Sequence, residues 1–144
     1  MSFRAATKAD VPFLLALRQL TMEEHLLASG TESSGALHLA RVMYCFEYAQ
    51  VIEQDGAPIG LLKLRRDDDA WHIIQFQLSP HMQGHGLGRR LMGRTIAEAA
   101  AANVPLRLSV LKANPARRLY ERLGFAVVGE DEHELFMQRE PTVA

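Results

Sequence analysis

Three glycines at alternate positions, Gly84, Gly86 and Gly88, stand between an apolar run that ends near Leu78 and an amphipathic helical pattern. Glycine adopts left-handed backbone conformations at little cost and lets a ligand approach the main chain closely. Where such a turn leads into a helix, its N–H groups can converge on one point and bind an anion. The residues alone also allow a tight turn with no ligand. In either case a strand ends and a helix begins here.

Paired arginines follow the start of two predicted helices. Arg89 and Arg90 lie in the first turn after the glycines, where the helix dipole disfavours each cation by roughly 0.3 to 1 kcal/mol. Arg117 and Arg118 repeat the pattern shortly after Asn114. A bound anion would remove this penalty, whereas exposed helix faces are the alternative explanation. The glycine spacing matches neither the dinucleotide fingerprint nor the phosphate loop of nucleotide hydrolases.

The rest of the chain predicts a strand, two helices, three strands, a helix, a strand, a helix and two strands. The predicted strands are 3–6, 49–53, 59–64, 71–78, 106–111, 125–128 and 134–138; the helices run from an N-cap at Asp10 to about Leu27, over 36–46 and 88–102, and from Asn114 to just before Gly124. Strands in series with one strand-helix-strand crossover predict an α+β fold, a mixed, mostly antiparallel sheet of about seven strands with helices on both faces. The length of 144 residues predicts one domain, 1–144.

Composition excludes several classes of partner. The net charge is -1, so no basic face for nucleic acid is expected. No apolar stretch is long enough to span a membrane, and no spacing of the six histidines and the acids forms a metal site. With Cys45 as the one cysteine no internal disulfide can form, and no signal peptide is recognised, so a cytoplasmic protein is expected.

Two motifs between Trp71 and Val128 resemble the GNAT superfamily of N-acetyltransferases. Its signature is Gln or Arg, two residues, Gly, one residue, then Gly or Ala. A second pattern has an Asn after the next strand, a Tyr in the following helix, and then Gly-Phe. The matching residues here are Gln83, Gly86 and Gly88 for the first motif, and Asn114, Tyr120, Gly124 and Phe125 for the second.

The resemblance implies acetyl-CoA as the acetyl donor, with no metal. It implies that the glycine loop holds the pyrophosphate and that the main chain near the end of the preceding strand bonds the pantetheine and the acetyl carbonyl. The cofactor-binding residues so implied are Leu78, Ser79, Gln83, Gly84, His85, Gly86, Leu87, Gly88, Arg89, Asn114, Arg117 and Tyr120. Tyr120 is also implied as the acid that protonates the departing thiolate, the alternative being a tyrosine that packs on the sheet.

The general base and the acceptor site are less defined. Some relatives carry a glutamate on the strand before the loop, and the matching position is His72, which can accept a proton near neutral pH. A packed or edge histidine is the alternative. The family often builds its acceptor site at the end of the first helix, where Glu23, Glu24 and His25 would suit a cationic amine. Exposed charges on a helix surface are the more common explanation of such residues.

The function expected from the resemblance is acetyl transfer from acetyl-CoA to a primary amine of a small molecule or peptide, by direct attack in a ternary complex. The alternative is a non-catalytic acyl-CoA-binding regulatory module. The strands after Gly124 offer an edge for a homodimer.

Overall fold

The computed structural model describes residues 2–28, 35–84 and 86–141, and for 23–28 it describes the backbone alone. The chain divides into two compact units. The first contains Met1–Leu64 and Gln75–Gln83, and the second contains Arg65–Ile74 and Gly84–Ala144. One strand, Trp71–Leu78, contributes its first half to the second unit and its second half to the first.

The first unit packs two helices on a set of antiparallel strands. Its elements are β1 (Ser2–Ala5), α1 (Val11–Ala28), α2 (Gly35–Met43), β2 (Ala49–Gln54), β3 (Ala57–Arg66) and the second half of β4 (Trp71–Leu78). Apolar residues at helical spacing on α1 and α2 meet alternate residues of β2 and β3, as amphipathic elements require. The resulting core consists of Leu14, Leu17, Val42, Ala49, Val51 and Leu61.

Asp10 does not cap α1 as the sequence predicts. It closes a 3-10 turn at Lys8–Asp10 that precedes the helix, and its carboxylate accepts a hydrogen bond of 2.8 Å from the Thr7 N–H. The Arg4 guanidinium binds both carboxylate oxygens, at 2.7 and 2.8 Å. The pKa of Asp10 is held well below its usual range, chiefly by Arg4. The acid therefore ties the start of α1 to β1.

Lys63 is fully buried on β3 and closes the C-terminus of α2. Its ammonium donates hydrogen bonds to the carbonyls of Arg41, Val42 and Tyr44, at 3.0, 2.8 and 2.6 Å. The last carbonyls of a helix have no partner within the helix, and a cation there also complements the helix dipole. Burial, followed by the nearby charge of Arg41, lowers the pKa of Lys63 to about 8. Lys63 therefore fixes where α2 ends.

The second unit combines a long helix with the remaining strands. Its elements are the first half of β4, α3 (Leu87–Ala101), β5 (Leu106–Leu111), α4 (Arg117–Arg122), β6 (Ala126–Glu130) and β7 (Glu134–Arg139). Leu87, Leu91 and Ala99 of α3 are buried at helical spacing. Alternate residues of β5 and β7 are also buried.

The strand order, continuous through β4, is β1-β2-β3-β4-β5-β7-β6. The pairs β1/β2, β2/β3, β5/β7 and β6/β7 are antiparallel, whereas β4 and β5 run parallel. The parallel ladder joins Trp71–Ile73 to Leu106–Leu108 and ends there. The predicted α+β class and the seven-stranded, mostly antiparallel sheet are confirmed.

Candidate functional site

Gln83 fastens the start of the glycine loop to the end of β4. Its side-chain amide donates a hydrogen bond of 3.0 Å to the carbonyl of Leu78. The main chain of Ser79 is engaged on both sides, since its N–H donates to Ile59 at 2.8 Å and its carbonyl accepts from the Met82 N–H at 2.8 Å. The Ser79 N–H is therefore not available to a ligand without breaking an internal bond, whereas its carbonyl oxygen can accept a second one.

Strand geometry assigns the neighbouring Leu78 a different role. The main-chain groups of successive residues in a strand point to opposite edges. Because the Ser79 N–H faces β3, the N–H groups of Leu78 and Phe76 face away from β3. The Leu78 N–H therefore points away from β3, at the end of β4 to which Gln83 is bonded.

Gly60 on β3 allows β4 to lie where it does. A Cβ at position 60 would stand 2.5 Å from the carbonyl oxygen of Gln77 and 2.9 Å from Leu78 Cδ2. The first of these is a backbone atom and cannot turn aside, so a side chain at this position would displace the end of β4. A glycine inside a strand is the recognised signal of a close backbone approach, so the role of Gly60 could have been predicted from its place in the apolar run 59–64.

The glycine turn leads directly into α3. Gly84 has φ +81° and Gly86 has φ +73°, and a Cβ at either position would meet no atom within 4 Å. The need for glycine here is therefore conformational, and the space beside both residues is open. Gly86 caps α3, Leu87 is buried, Gly88 is half-buried, and Arg89 is exposed in the first turn. His85 lies outside the described residues.

Tyr120 on α4 is buried, with 7% of its surface exposed. Its ring packs edge to face on Phe125, with the ring centroids 5.8 Å apart. Burial raises the pKa of Tyr120 to about 12. Among the described residues, no side chain forms a hydrogen bond with its hydroxyl. Tyr120 is therefore protonated throughout the physiological pH range and keeps a free donor.

Asn114 and Arg117 make local contacts at the start of α4. The Asn114 Oδ1 accepts a hydrogen bond of 2.9 Å from the Ala116 N–H, which forms a turn before the helix. Because residues 114–116 form this turn, α4 begins at Arg117 and is shorter than the sequence predicts. Arg117 pairs with Glu121 at 3.1 Å on an exposed face.

His72 lies at the start of β4, six residues before Leu78. Its Nε2 is 3.4 Å from the carboxylate of Asp67, and about a quarter of its side chain is exposed. Burial and then the charge of Arg65 lower the pKa of His72, against the opposing effect of Asp67. His72 is therefore neutral at pH 7, which is the protonation state that a general base requires.

The side chains of Glu23, Glu24 and His25 lie outside what the structure describes, so the predicted acceptor site at the end of α1 stays a prediction. Over the described residues, no three His, Cys, Asp or Glu side chains are grouped so as to hold a metal ion. No helix within these residues is long and apolar enough to cross a membrane.

Comparison with known proteins agrees with the resemblance of the motifs. The model of the acetyltransferase (GNAT) family matches residues 14–125, which is more than half of the chain. The chain therefore belongs to the GNAT acetyltransferase family.

Solved structures share the fold along nearly the whole chain. PaiA N-acetyltransferase from Thermoplasma acidophilum, solved in complex with coenzyme A, is 16% identical with a TM-score of 0.73, and 96% of this chain and 98% of that chain are covered. An acetyltransferase from Thermus thermophilus is 21% identical with a TM-score of 0.76, and 96% of each chain is covered. N-acetylglutamate synthase from Neisseria gonorrhoeae, complexed with coenzyme A and N-acetyl-glutamate, is 20% identical with a TM-score of 0.69; 99% of this chain and 35% of that chain are covered.

Proposed function

We propose that this protein transfers an acetyl group from acetyl-CoA to a primary amine in a ternary complex. The observation that carries the proposal is the glycine turn of a GNAT family member, with Gly84 and Gly86 in left-handed conformations and Gln83 bonded to Leu78. A solved structure of the same fold, the PaiA enzyme, contains coenzyme A. We further propose that residues 1–144 form a single acetyltransferase domain in the cytoplasm.

The residues of the turn fit a diphosphate. The N–H groups from Gln83 to Arg89 would bind the phosphate oxygens, that of Gln83 in place of its bond of 3.2 Å to the Pro80 carbonyl. The open space beside Gly84 and Gly86 leaves room for the phosphates. Arg89, exposed in the first turn of α3, would add a charge-assisted contact. Main-chain N–H donors of β4, with Leu78 nearest the loop, would bind the pantetheine and polarise the acetyl carbonyl. Asn114 and Arg117 remain proposed contacts, although each already has a partner on α4 or its preceding turn.

The chemistry requires proton transfers at the amine nitrogen and at the thiolate sulfur. Acetyl-CoA supplies an activated acetyl thioester. A lysine-like amine with a pKa of about 10.4 must lose a proton at pH 7, which costs roughly 4.6 kcal/mol. Water takes this first proton before the attack. His72 then accepts the second proton of the nitrogen as the new C–N bond forms, through a chain of water molecules because it lies roughly 20 Å along β4 from Leu78. Tyr120 donates its phenolic proton to the thiolate sulfur as the C–S bond breaks.

A pair of matched glycine variants tests coenzyme binding. Gly86 has φ +73° and Gly93 lies within α3, and a Cβ would meet no atom within 4 Å at either position. Gly86→Ala should therefore weaken acetyl-CoA binding by about tenfold or more, because the turn loses a conformation that costs an L-residue about 1 to 2 kcal/mol. Gly93→Ala should leave binding unchanged and stabilise the helix slightly. Calorimetry measures both, and equal affinities would show that the turn does not hold the coenzyme.

Turnover separates an enzyme from a module that only binds acyl-CoA. Free thiol should be released from acetyl-CoA at a rate that depends on the amine, and mass spectrometry should find the acetylated amine in equal amount. Binding of acetyl-CoA without acetylation of any amine in a broad panel would overturn the catalytic proposal.

The acid limb of the pH profile tests His72. Since the pKa of His72 is lowered from 6.5, the value of kcat/KM should rise with pH over a step centred below 6.5, as the imidazole loses its proton. His72→Gln should remove that step from the profile. The second rise, at higher pH, should remain because it comes from deprotonation of the acceptor amine. His133→Gln, which changes an exposed histidine beside Glu132, serves as the control. An acid limb that persists in His72→Gln would assign the base to another residue.

The edge strand β6 supports a proposed homodimer. β6 pairs with β7 and ends the strand order, and its residues Val127 and Val128 are 47% and 64% exposed. Unpaired strand edges of this kind join readily to a second chain.

A further inference from the structure

Three buried polar atoms in the first unit have no hydrogen-bond partner among the described residues. They are the side-chain oxygens Oε1 of Gln75 and of Gln77 and the Nε atom of Arg18. Both glutamines are 8% exposed. Since buried polar groups in native proteins are almost always hydrogen-bonded, three such atoms in one unit indicate a partner that is not part of the chain.

Contacts link these atoms to one another. The Gln75 Nε2 donates to the carbonyl of Arg41 at 3.4 Å, and the same carbonyl accepts from Lys63 at 3.0 Å. Gln77 follows Gln75 by two residues on β4, so the two side chains share one face. Arg18 follows Leu17 on α1, and Leu17 packs in one core with Val42 of α2 and with Leu61, two residues before Lys63 on β3. The charge of Arg18 is accordingly among those that lower the pKa of Lys63.

The electrostatic environment of this group is positive. Burial, then the charge of Arg41, lowers the pKa of Arg18 to about 10, and Arg41 and Arg18 both lower the pKa of Lys63. Of the described carboxylates, Glu47 acts on Lys63 in the opposite direction, and its side chain is exposed. The ammonium of Lys63 is engaged by three carbonyls, so it contributes charge here without a free donor. Such a field repels a cationic acceptor and attracts a carboxylate.

We propose that Arg18 binds the carboxylate of the acetyl acceptor, and that Gln75 and Gln77 accept hydrogen bonds from its N–H groups. The acceptor is then a small amine that carries a carboxylate, of which the amino acids are the simplest class. This inference rests on the proposed acetyl transfer and names its substrate class. A carboxylate supplies the acceptor that the Arg18 Nε atom lacks, and an amine supplies the donors that the two glutamine oxygens lack.

Matched pairs of acceptors test the proposal. Each of the twenty amino acids is offered together with its carboxamide, which keeps the amine and the side chain but removes the negative charge. We expect at least one acid to be acetylated with kcat/KM about tenfold or more above its carboxamide, since a charge-assisted arginine bond is worth that factor. Arg18→Gln should abolish the preference mainly by raising KM for the acid, with little change in kcat or in the rate for the carboxamide. Arg122→Gln, which changes an exposed arginine on α4, is the control.

The thermal midpoint of Arg18→Gln distinguishes a binding role for Arg18 from a structural one. Because Arg18 is half-buried among like charges, Arg18→Gln should leave the thermal midpoint unchanged or raise it, whereas a supporting role would lower it. Carboxamides acetylated as well as their acids, or an acid preference that survives Arg18→Gln, would overturn the inference and leave acetyl transfer intact.

Binding of products keeps the test independent of turnover. Calorimetry compares N-acetylated amino acids with their N-acetylated carboxamides on the coenzyme A complex. If no amine is acetylated but an N-acetylated acid binds in a manner that requires Arg18, the proposed reaction fails and the anion site stands. If neither member of any pair binds with dependence on Arg18, the anion site is overturned.

Discussion

Replacing Tyr120 with phenylalanine should lower kcat by roughly 10²- to 10⁴-fold, the usual contribution of a positioned acid, and leave acetyl-CoA affinity within about twofold. The substitution keeps the ring that packs on Phe125 and removes one hydroxyl, which has no hydrogen-bond partner among the described residues. Folding stability should therefore change little. Thiol release measures kcat, and calorimetry measures affinity.

The raised pKa of Tyr120 defines how this acid can act. With a pKa of about 12 against about 8.5 for a free thiol, complete proton transfer to the thiolate is uphill by about 3.5 units, or roughly 4.8 kcal/mol. Tyr120 should therefore stabilise the developing thiolate chiefly by hydrogen bonding, and complete release of its proton would add this cost to the barrier. Tyr48→Phe, a change at a partly exposed tyrosine, is the matched control. A Tyr120→Phe enzyme with kcat within about threefold of the wild type would assign the acid to water or another group.

Replacing Lys63 with methionine should destabilise the fold by roughly 3 kcal/mol. Methionine fills similar space, but the carbonyls of Val42 and Tyr44 lose the donor that Lys63 supplies, and each buried group left unpaired costs about 1 to 3 kcal/mol. The Arg41 carbonyl keeps only its longer bond of 3.4 Å from Gln75. Removing a buried cation from beside Arg41 offsets part of this cost. Urea unfolding of the free protein measures the difference.

Lys112→Met provides the comparison for Lys63. Lys112 is partly exposed and pairs with Glu130 at 3.4 Å, and surface pairs of this kind contribute about 1 kcal/mol or less. If the free energy of unfolding falls by the same small amount in both methionine variants, the bonds of Lys63 to the end of α2 contribute no more to stability than a surface ion pair does. Loss of the α2 helical signal in Lys63→Met alone would locate the effect at that helix.

The order of elements was predictable because most of it depends on local patterns. β4 and β5 have the predicted bounds, since apolar runs between turn residues define them. The start of α4 could not be predicted from the sequence. Asn114 can either cap a helix or close a turn onto Ala116, and the backbone angles that decide between the two are not specified by the local sequence. The predicted role of Asp10 as the N-cap of α1 was wrong for a similar reason, because its partner Arg4 lies outside any capping motif.

The site was predictable only as far as its motifs extend. Gln83, Gly86 and Tyr120 belong to spacings that resemble a family, so their positions could be named in advance. Lys63 gave no signal, because its partners are main-chain carbonyls 19 to 22 residues away, and carbonyls carry no sequence identity. Gln75 and Gln77 did leave a trace, as alternate polar residues in an otherwise apolar strand.

The close approach at Gly60 sets a rule for anyone who redesigns this protein. Libraries that seek new amine specificity can vary positions 75 and 77, whose side-chain oxygens are unpaired. Position 60 should be held constant in the same libraries, because any larger residue there would push against the Gln77 carbonyl and shift the strand that presents both glutamines. In a deep mutational scan that selects for folding stability, substitutions at position 60 should therefore be tolerated far less than substitutions at positions 75 and 77.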